Sequence, residues 1–212
     1  MILVTGNLGY IGTVMVGMLR ENSYHVVGLD TGFYKKSCFY PLSEEYHPHQ
    51  QITQDVRKVE RKDVKGIRAI IHLAALSNDP MGEMDAGLTH EINYQSTIQL
   101  AKFAKEEGIE RFLFASSCSL YGKSDDQMDV DEFGTLNPLT QYAKSKVYSE
   151  KGLLELASDT FHPVLLRNAT VYGMSPMLRL DLVLNQFVAQ AFLYKKIRIF
   201  SDGTPWRPLL HI

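Results

Sequence analysis

Apolar residues in this chain fall into short unbroken runs separated by stretches with helical periodicity. Residues 2–4, 25–29, 51–53, 69–73, 111–115, 161–166 and 197–200 read as strands. The runs do not alternate between apolar and polar, as expected of parallel strands covered on both faces. Helical stretches run from the first glycine-rich turn to Leu19 and over residues 84–107, 138–156 and 180–193. Asn137 and Pro138 read as the N-cap and first-turn proline of the third of these. Strand and helix in alternation predict a doubly wound α/β parallel sheet. Internal repeats and low-complexity segments are absent from the sequence. The acidic stretch 125–132 reads as a solvated loop and not as a metal site.

Bulk properties narrow the classes. A chain of 212 residues fits one large domain, or one domain and part of a second. A formal charge of -2 calls for neither nucleic acid nor an anionic membrane as partner. The two cysteines, Cys38 and Cys118, are far apart and form no Cys-x-x-Cys, which suggests a reducing compartment. No apolar run reaches the length of a membrane span, and residues 1–6 lack the basic leader of a signal peptide. Cytoplasm is the expected location. His47 and His49 have no cysteine or acidic ligands around them, so they read as loop residues, and no metal is expected.

The turn Gly6-Asn7-Leu8-Gly9-Tyr10-Ile11-Gly12 joins the first strand to the first helix. Gly6 permits the tight turn, Gly9 lets backbone approach a diphosphate, and Gly12 lets helix and sheet pack closely. The helix N-terminus then offers unpaired N–H groups to phosphate oxygens. Asp30, at the end of the second strand, lies about 20 residues beyond, where a carboxylate accepts hydrogen bonds from the adenosine ribose. It would also repel a 2′-phosphate, which predicts NAD and not its phosphorylated relative.

A second constellation lies further on. Tyr142 and Lys146 are four residues apart and share a helix face. A lysine ammonium favours the phenolate and lowers the tyrosine pKa from about 10 towards neutrality, which makes Tyr142 a candidate general base. Ser116 and Ser117 end the strand before this helix, at the sheet edge where open α/β folds bind ligands. Cys118 beside them reads as a small buried thiol.

With these residues in place, the sequence resembles the extended short-chain dehydrogenase/reductases, in particular the NAD-dependent epimerase/dehydratase family. The matching positions are Gly6, Gly9, Gly12, Asp30, Asp55-Val56, His72-Leu73-Ala74-Ala75, Asn93, Ser116-Ser117, Tyr121-Gly122, Tyr142 with Lys146, Leu166-Arg167, Val171-Tyr172-Gly173, Asn185, and Arg207 with His211. The resemblance implies that Asp55 and Val56 contact adenine and that Leu73, Ala74 and Ala75 line the cofactor cleft. It implies that Asn93 supports the active-site backbone and that Lys146 also holds the nicotinamide ribose. Ser117, Tyr142 and Lys146 would be the catalytic triad, with Ser116 at the cofactor. Ser77, Ser117, Thr170, Asn185 and Arg207 would face a nucleotide-diphosphate sugar, Arg207 on its diphosphate. Family members usually carry Asn where this chain has Thr170.

The expected architecture is a Rossmann-type α/β domain, residues 1–173, holding NAD and the catalytic residues. Residues 174–212 would begin a substrate-binding portion that is incomplete here. The expected activity is an NAD-dependent nucleotide-sugar epimerase, with a dehydratase or reductase of the same family, or a non-catalytic NAD-binding protein, as alternatives. The resemblance also implies a homodimer. In the family's 4,6-dehydratases an Asp-Glu pair directly follows the position of Ser117. Cys118 and Ser119 stand there instead, which favours epimerisation.

Overall fold

The computed structural model describes residues 1–77, 79–122, 130–204 and 206–212. In chain order its elements are β1 (Ile2–Thr5), α1 (Tyr10–Glu21), β2 (Val26–Asp30), β3 (Gln50–Thr53), β4 (Ala69–His72), α2 (Asp79–Met84), α3 (Ala86–His90), α4 (Ser96–Glu106), β5 (Arg111–Ser117), α5 (Gln141–Leu156), β6 (His162–Asn168), β7 (Thr170–Tyr172), α6 (Val183–Tyr194) and β8 (Leu209–His211). Strands β1 to β6 form one parallel sheet in the order β3-β2-β1-β4-β5-β6. This is the doubly wound, Rossmann-type order. The winding reverses between β1 and β4, and the crevice outside their C-terminal ends is where such sheets bind ligands.

The unbroken apolar runs follow from burial on both sides. On one face Leu3, Ile70, Phe112 and Phe114 pack with Leu100 and Ala104 of α4 and Leu153 of α5. On the other, Val4, Val26 and Ile71 pack against Val16 of α1. At about 25 cal/mol per Å² of buried apolar surface, this two-sided core is the main source of stability.

Several boundaries differ from the sequence reading. The stretch read as one helix over 84–107 begins at Ala86 and runs to Glu106 as α3, a π-helical turn (Glu91–Gln95) and α4. Asp85 is its N-cap, accepting from the Leu88 N–H. Helix α5 is capped by Thr140 and not by Asn137. The Thr140 hydroxyl accepts from the Ala143 N–H at 3.2 Å, and the Glu83 carboxylate accepts from the Gln141 N–H at 2.7 Å. Residues 197–200 are not a strand: Ile197, Ile199 and Phe200 are exposed, and among the described residues no strand pairs with them. A short parallel pair forms instead between β7 and β8. Of the acidic stretch, residues 125–129 lie outside the described residues.

Candidate active site

The glycine turn closes against the end of β4. Gly6 has φ +71°, and a Cβ there would lie 2.8 Å from the Ala74 nitrogen. At Gly12 a Cβ would lie 2.1 Å from the Gly6 carbonyl oxygen, so helix α1 can start this close only with glycine. Helix α1 begins at Gly9 with no side-chain cap and no acidic residue in its first turn. Among the described residues no side chain caps its first turn, which leaves the N–H groups there and the positive dipole end open to an anion. Asp30 adjoins this turn: its carboxylate accepts from the Leu8 N–H at 3.2 Å and the Gly32 N–H at 2.8 Å. A tight glycine cradle, an open helix N-terminus and an acid at the end of β2 fit the diphosphate and ribose of a dinucleotide.

Neighbouring positions divide between cleft and scaffold. The Leu73 N–H donates to the Thr5 carbonyl, and the Ala74 N–H donates to the Thr5 hydroxyl, which brings 73–75 beside the glycine turn. Asn7 turns away from the crevice; it is buried and pairs its amide with that of Gln51. Asp55 caps the short helical turn Val56–Lys58 and pairs with Arg57 through two guanidinium nitrogens. That pairing holds the Asp55 carboxyl below the usual carboxylate range. Val56 is buried in the core.

Helix α5 lies behind the end of β5. Lys146 is buried, and its Nζ donates to the Ala115 carbonyl at 2.7 Å. The ammonium sits 4.5 Å from the centre of the Phe114 ring and 5.5 Å from that of Tyr142. Burial lowers the Lys146 pKa to about 7, with the Glu150 carboxylate opposing the shift. Tyr142 is half-buried. The Ser117 hydroxyl accepts from the Ser119 N–H at the start of the turn after β5. Ser116 points to the other side and donates to the buried carboxylate of Glu150. Arg167 of β6 binds the same carboxylate through Nε and Nη2, at 3.1 and 2.7 Å, and donates to the Tyr121 hydroxyl at 2.8 Å. This ionic cluster ties α5, β5 and β6 together behind the site.

Asn93, in the π-helical turn, is buried and bonds to both backbone groups of Leu76 and to Ser145 of α5. On the opposite side of the crevice, Asn185 accepts from the Gly173 N–H and donates to the Tyr10 hydroxyl and the Arg179 carbonyl. Tyr10 itself donates to the Gly173 carbonyl at 2.8 Å. Thr170 begins β7, and its N–H bonds the Pro208 carbonyl, which brings the segment bearing Arg207 alongside. Arg207 is exposed and lines a surface depression with Gly203, Thr204 and Trp206. Its charge reaches Cys118, whose thiol is pushed up by burial and drawn partly back by Arg207.

Three features were not assigned by sequence reasoning. Glu150 had a signal, being one helical turn beyond Lys146. His72 stood in a recognised motif but had been given no role. Arg179 had no local signal; it donates to Ser77 at 3.0 Å and to Asp181, and emerges only from the folded geometry. Among the described residues, no group of three or more His, Cys, Asp or Glu could hold a metal, and no helix is long and apolar enough to cross a membrane. His49 stacks on His25 at the sheet margin, with ring centres 4.3 Å apart.

A sequence profile described as the NAD dependent epimerase/dehydratase family matches residues 2–212. The UDP-glucuronate 4-epimerase of Thermodesulfobacterium geofontis is 30% identical over 229 residues, covering 99% of this chain and 67% of that protein. The dTDP-D-glucose 4,6-dehydratase of Mus musculus is 28% identical over 218 residues, covering 99% of this chain and 61% of the mouse protein. Among solved structures, the UDP-glucuronic acid 4-epimerase of Bacillus cereus, in complex with UDP-glucuronic acid and NAD, superposes with a TM-score of 0.81 at 29% identity. That match covers 99% of this chain and 68% of the Bacillus cereus chain.

Proposed function

This chain belongs to the NAD-dependent epimerase/dehydratase family, and from that premise we propose that it is a nucleotide-sugar epimerase using Ser117, Tyr142 and Lys146. The observation that carries the chemistry is the buried Lys146 ammonium beside the Tyr142 ring, on one helix face at the end of β5. NAD, when bound, supplies a reversible hydride acceptor for the sugar carbon. The glycine turn and the α1 N-terminus hold its diphosphate, and Asp30 its adenosine ribose.

Tyr142 takes the proton from the sugar hydroxyl and later returns it. Lys146 favours the phenolate through its charge. Its side chain is held in place by the Ala115 carbonyl, so the favourable field exists before substrate arrives. The Ser117 hydroxyl, at the strand end, hydrogen-bonds the reacting oxygen and orients it. Arg207, in the β8 segment, attracts the diphosphate.

Epimerisation is preferred to dehydration because elimination of water needs a proton donor for the leaving hydroxyl and a base for the neighbouring carbon. Cys118 and Ser119 follow Ser117, and burial makes the Cys118 thiol a still weaker acid than usual. One base suffices for epimerisation. The test is to incubate the purified protein with UDP-, dTDP-, GDP- and CDP-hexoses and follow the products by NMR. A stereoisomer of unchanged mass, with no net NADH, is expected. A 4-keto-6-deoxy sugar would overturn the assignment.

A further inference from the structure

We propose that Tyr10 is a positioning residue that couples two ligand sites: it fastens residues 173–185 to the turn that holds the dinucleotide diphosphate, so that NAD and a nucleotide sugar each strengthen the binding of the other. This link rests on the nucleotide-sugar reading, which supplies the second ligand.

Tyr10 is the first residue of α1, between Gly9 and Gly12. A glycine turn by itself demands no large side chain there, yet the Tyr10 side chain is buried. Its phenol donates to the Gly173 carbonyl at 2.8 Å and accepts from Asn185 Nδ2 at 3.1 Å. Its backbone carbonyl accepts from the buried Ser175 hydroxyl at 2.8 Å. Those partners brace their own neighbours. Ser175 Oγ accepts from the Met177 N–H at 3.2 Å, and Asn185 Oδ1 accepts from the Gly173 N–H at 3.1 Å. Asn185 Nδ2 also donates to the Arg179 carbonyl at 2.9 Å. Both Nδ2 hydrogens of Asn185 are thereby used within the protein. Gly173 has φ +125°, so the backbone path that brings its carbonyl to Tyr10 requires glycine. Burial raises the Tyr10 pKa, with the Asn185 bond opposing the shift, and the phenol keeps its proton and its donor role at neutral pH.

The same residue lies in the first turn of α1, whose N–H groups receive the diphosphate in the reading above. A diphosphate held there fixes the Tyr10 backbone, and with it the phenol and the carbonyl. Three bonds pass that order on to residues 173–185. A second ligand then meets a segment that the first has already ordered, and binds with a smaller loss of entropy. Linkage makes the factor the same in both directions. Two other bonds reach the segment from elsewhere, from the Phe39 N–H to the Pro176 carbonyl at 2.7 Å and from Arg179 to Ser77 at 3.0 Å. Phe39 and the Arg179–Ser77 bond are exposed, and neither bond involves the glycine turn.

Hydrogen exchange followed by NMR, with and without saturating NAD, reads the link. NAD should slow exchange of the Gly173 amide about tenfold in the unmodified protein. Tyr10→Phe, which keeps the ring and loses the hydroxyl, should reduce that factor to about threefold, and Tyr10→Phe with Ser175→Ala to less than about twofold. A purely structural loss would speed exchange equally with and without NAD and leave the factor unchanged, and that result would overturn the proposal. Calorimetric titration with the tightest binder among UDP-, dTDP-, GDP- and CDP-glucose gives the second measurement. NAD should tighten its binding about tenfold in the unmodified protein and less than about twofold in the double variant. An equal factor in both proteins would overturn the proposal and leave the nucleotide-sugar reading standing. Failure of all four compounds to bind the NAD-loaded unmodified protein would overturn that reading, and this one with it.

Discussion

Asn93 holds both backbone groups of Leu76: the Leu76 N–H donates to Oδ1 at 2.8 Å, and Nδ2 donates to the Leu76 carbonyl at 3.1 Å. The same Nδ2 reaches Ser145 Oγ, three residues beyond Tyr142 on α5. One buried amide thus fixes the exit of β4 relative to the helix carrying the candidate base. Asn93→Ala removes the partner of a part-buried N–H and a part-buried carbonyl, which should cost about 1–3 kcal/mol. Urea unfolding measures it, and a loss below about 0.5 kcal/mol would show that water replaces the amide at no cost.

Tyr142→Phe keeps the ring that packs beside Lys146 and removes the proton acceptor. Turnover should fall about 10²–10⁴-fold, with NAD still bound. Near-normal turnover would remove Tyr142 from the mechanism.

What was legible in the sequence was what local chemistry or burial on both faces dictates. The glycine turn was readable because Gly6 and Gly12 answer steric demands within a few residues of themselves. The parallel strands were readable because burial on both faces removes alternation. The start of α5 was misread because Pro138 is a strong first-turn signal, yet the helix begins later, where Thr140 and Glu83 satisfy its first N–H groups. Residues 197–200 have strand composition, but a strand also needs a neighbour with free backbone groups. The contact of Arg179 with Ser77 and the pairing of Glu150 with Arg167 join segments distant in sequence, so the spacing of Glu150 from Lys146 marks a shared helix face but not its partner.

NAD should bind more tightly than its 2′-phosphorylated counterpart. Asp30 stands at the end of β2 with its carboxylate fixed by two backbone N–H groups, and no arginine comes immediately after it. Titration with both cofactors decides the matter, and equal affinities would remove Asp30 as the discriminator.

A homodimer is expected from pairing of α4 and α5 with their copies across a two-fold axis, as a four-helix bundle. Tyr148 and Leu154 of α5 are exposed, and Tyr148 extends an aromatic cluster with His90 and Tyr94. Light scattering at micromolar concentration should give twice the chain mass, and Tyr148→Glu should halve it. A monomer throughout would refute the pairing.

The last expectation concerns His72, whose protonation state follows from counting donors. The Thr97 hydroxyl gives its single proton to the Asn93 carbonyl at 2.7 Å, so towards His72 Nε2, at 2.8 Å, it can only accept. Nε2 therefore carries the hydrogen, and Nδ1 accepts from the Thr5 hydroxyl at 2.6 Å. Thr5 in turn accepts from the Ala74 N–H. The ring is neutral, fully used, and part of a chain from the glycine turn to Asn93. Protonation would add a donor facing a donor in a buried site, and burial, with the Lys146 charge adding to it, lowers the pKa from 6.5 to about 3. Between those values the unfolded chain binds a proton that the folded chain does not. Stability from this group is therefore complete above about pH 6.5 and is lost as pH falls towards 3. At pH 5 the loss is about 2 kcal/mol. Urea unfolding of the unmodified protein and of His72→Gln at pH 7 and pH 5 isolates the effect, since all other titrations are shared. The unmodified protein should lose about 2 kcal/mol more than the variant between the two values. Equal losses would mean that His72 protonates in the fold as readily as in the unfolded chain, and the donor count would be wrong.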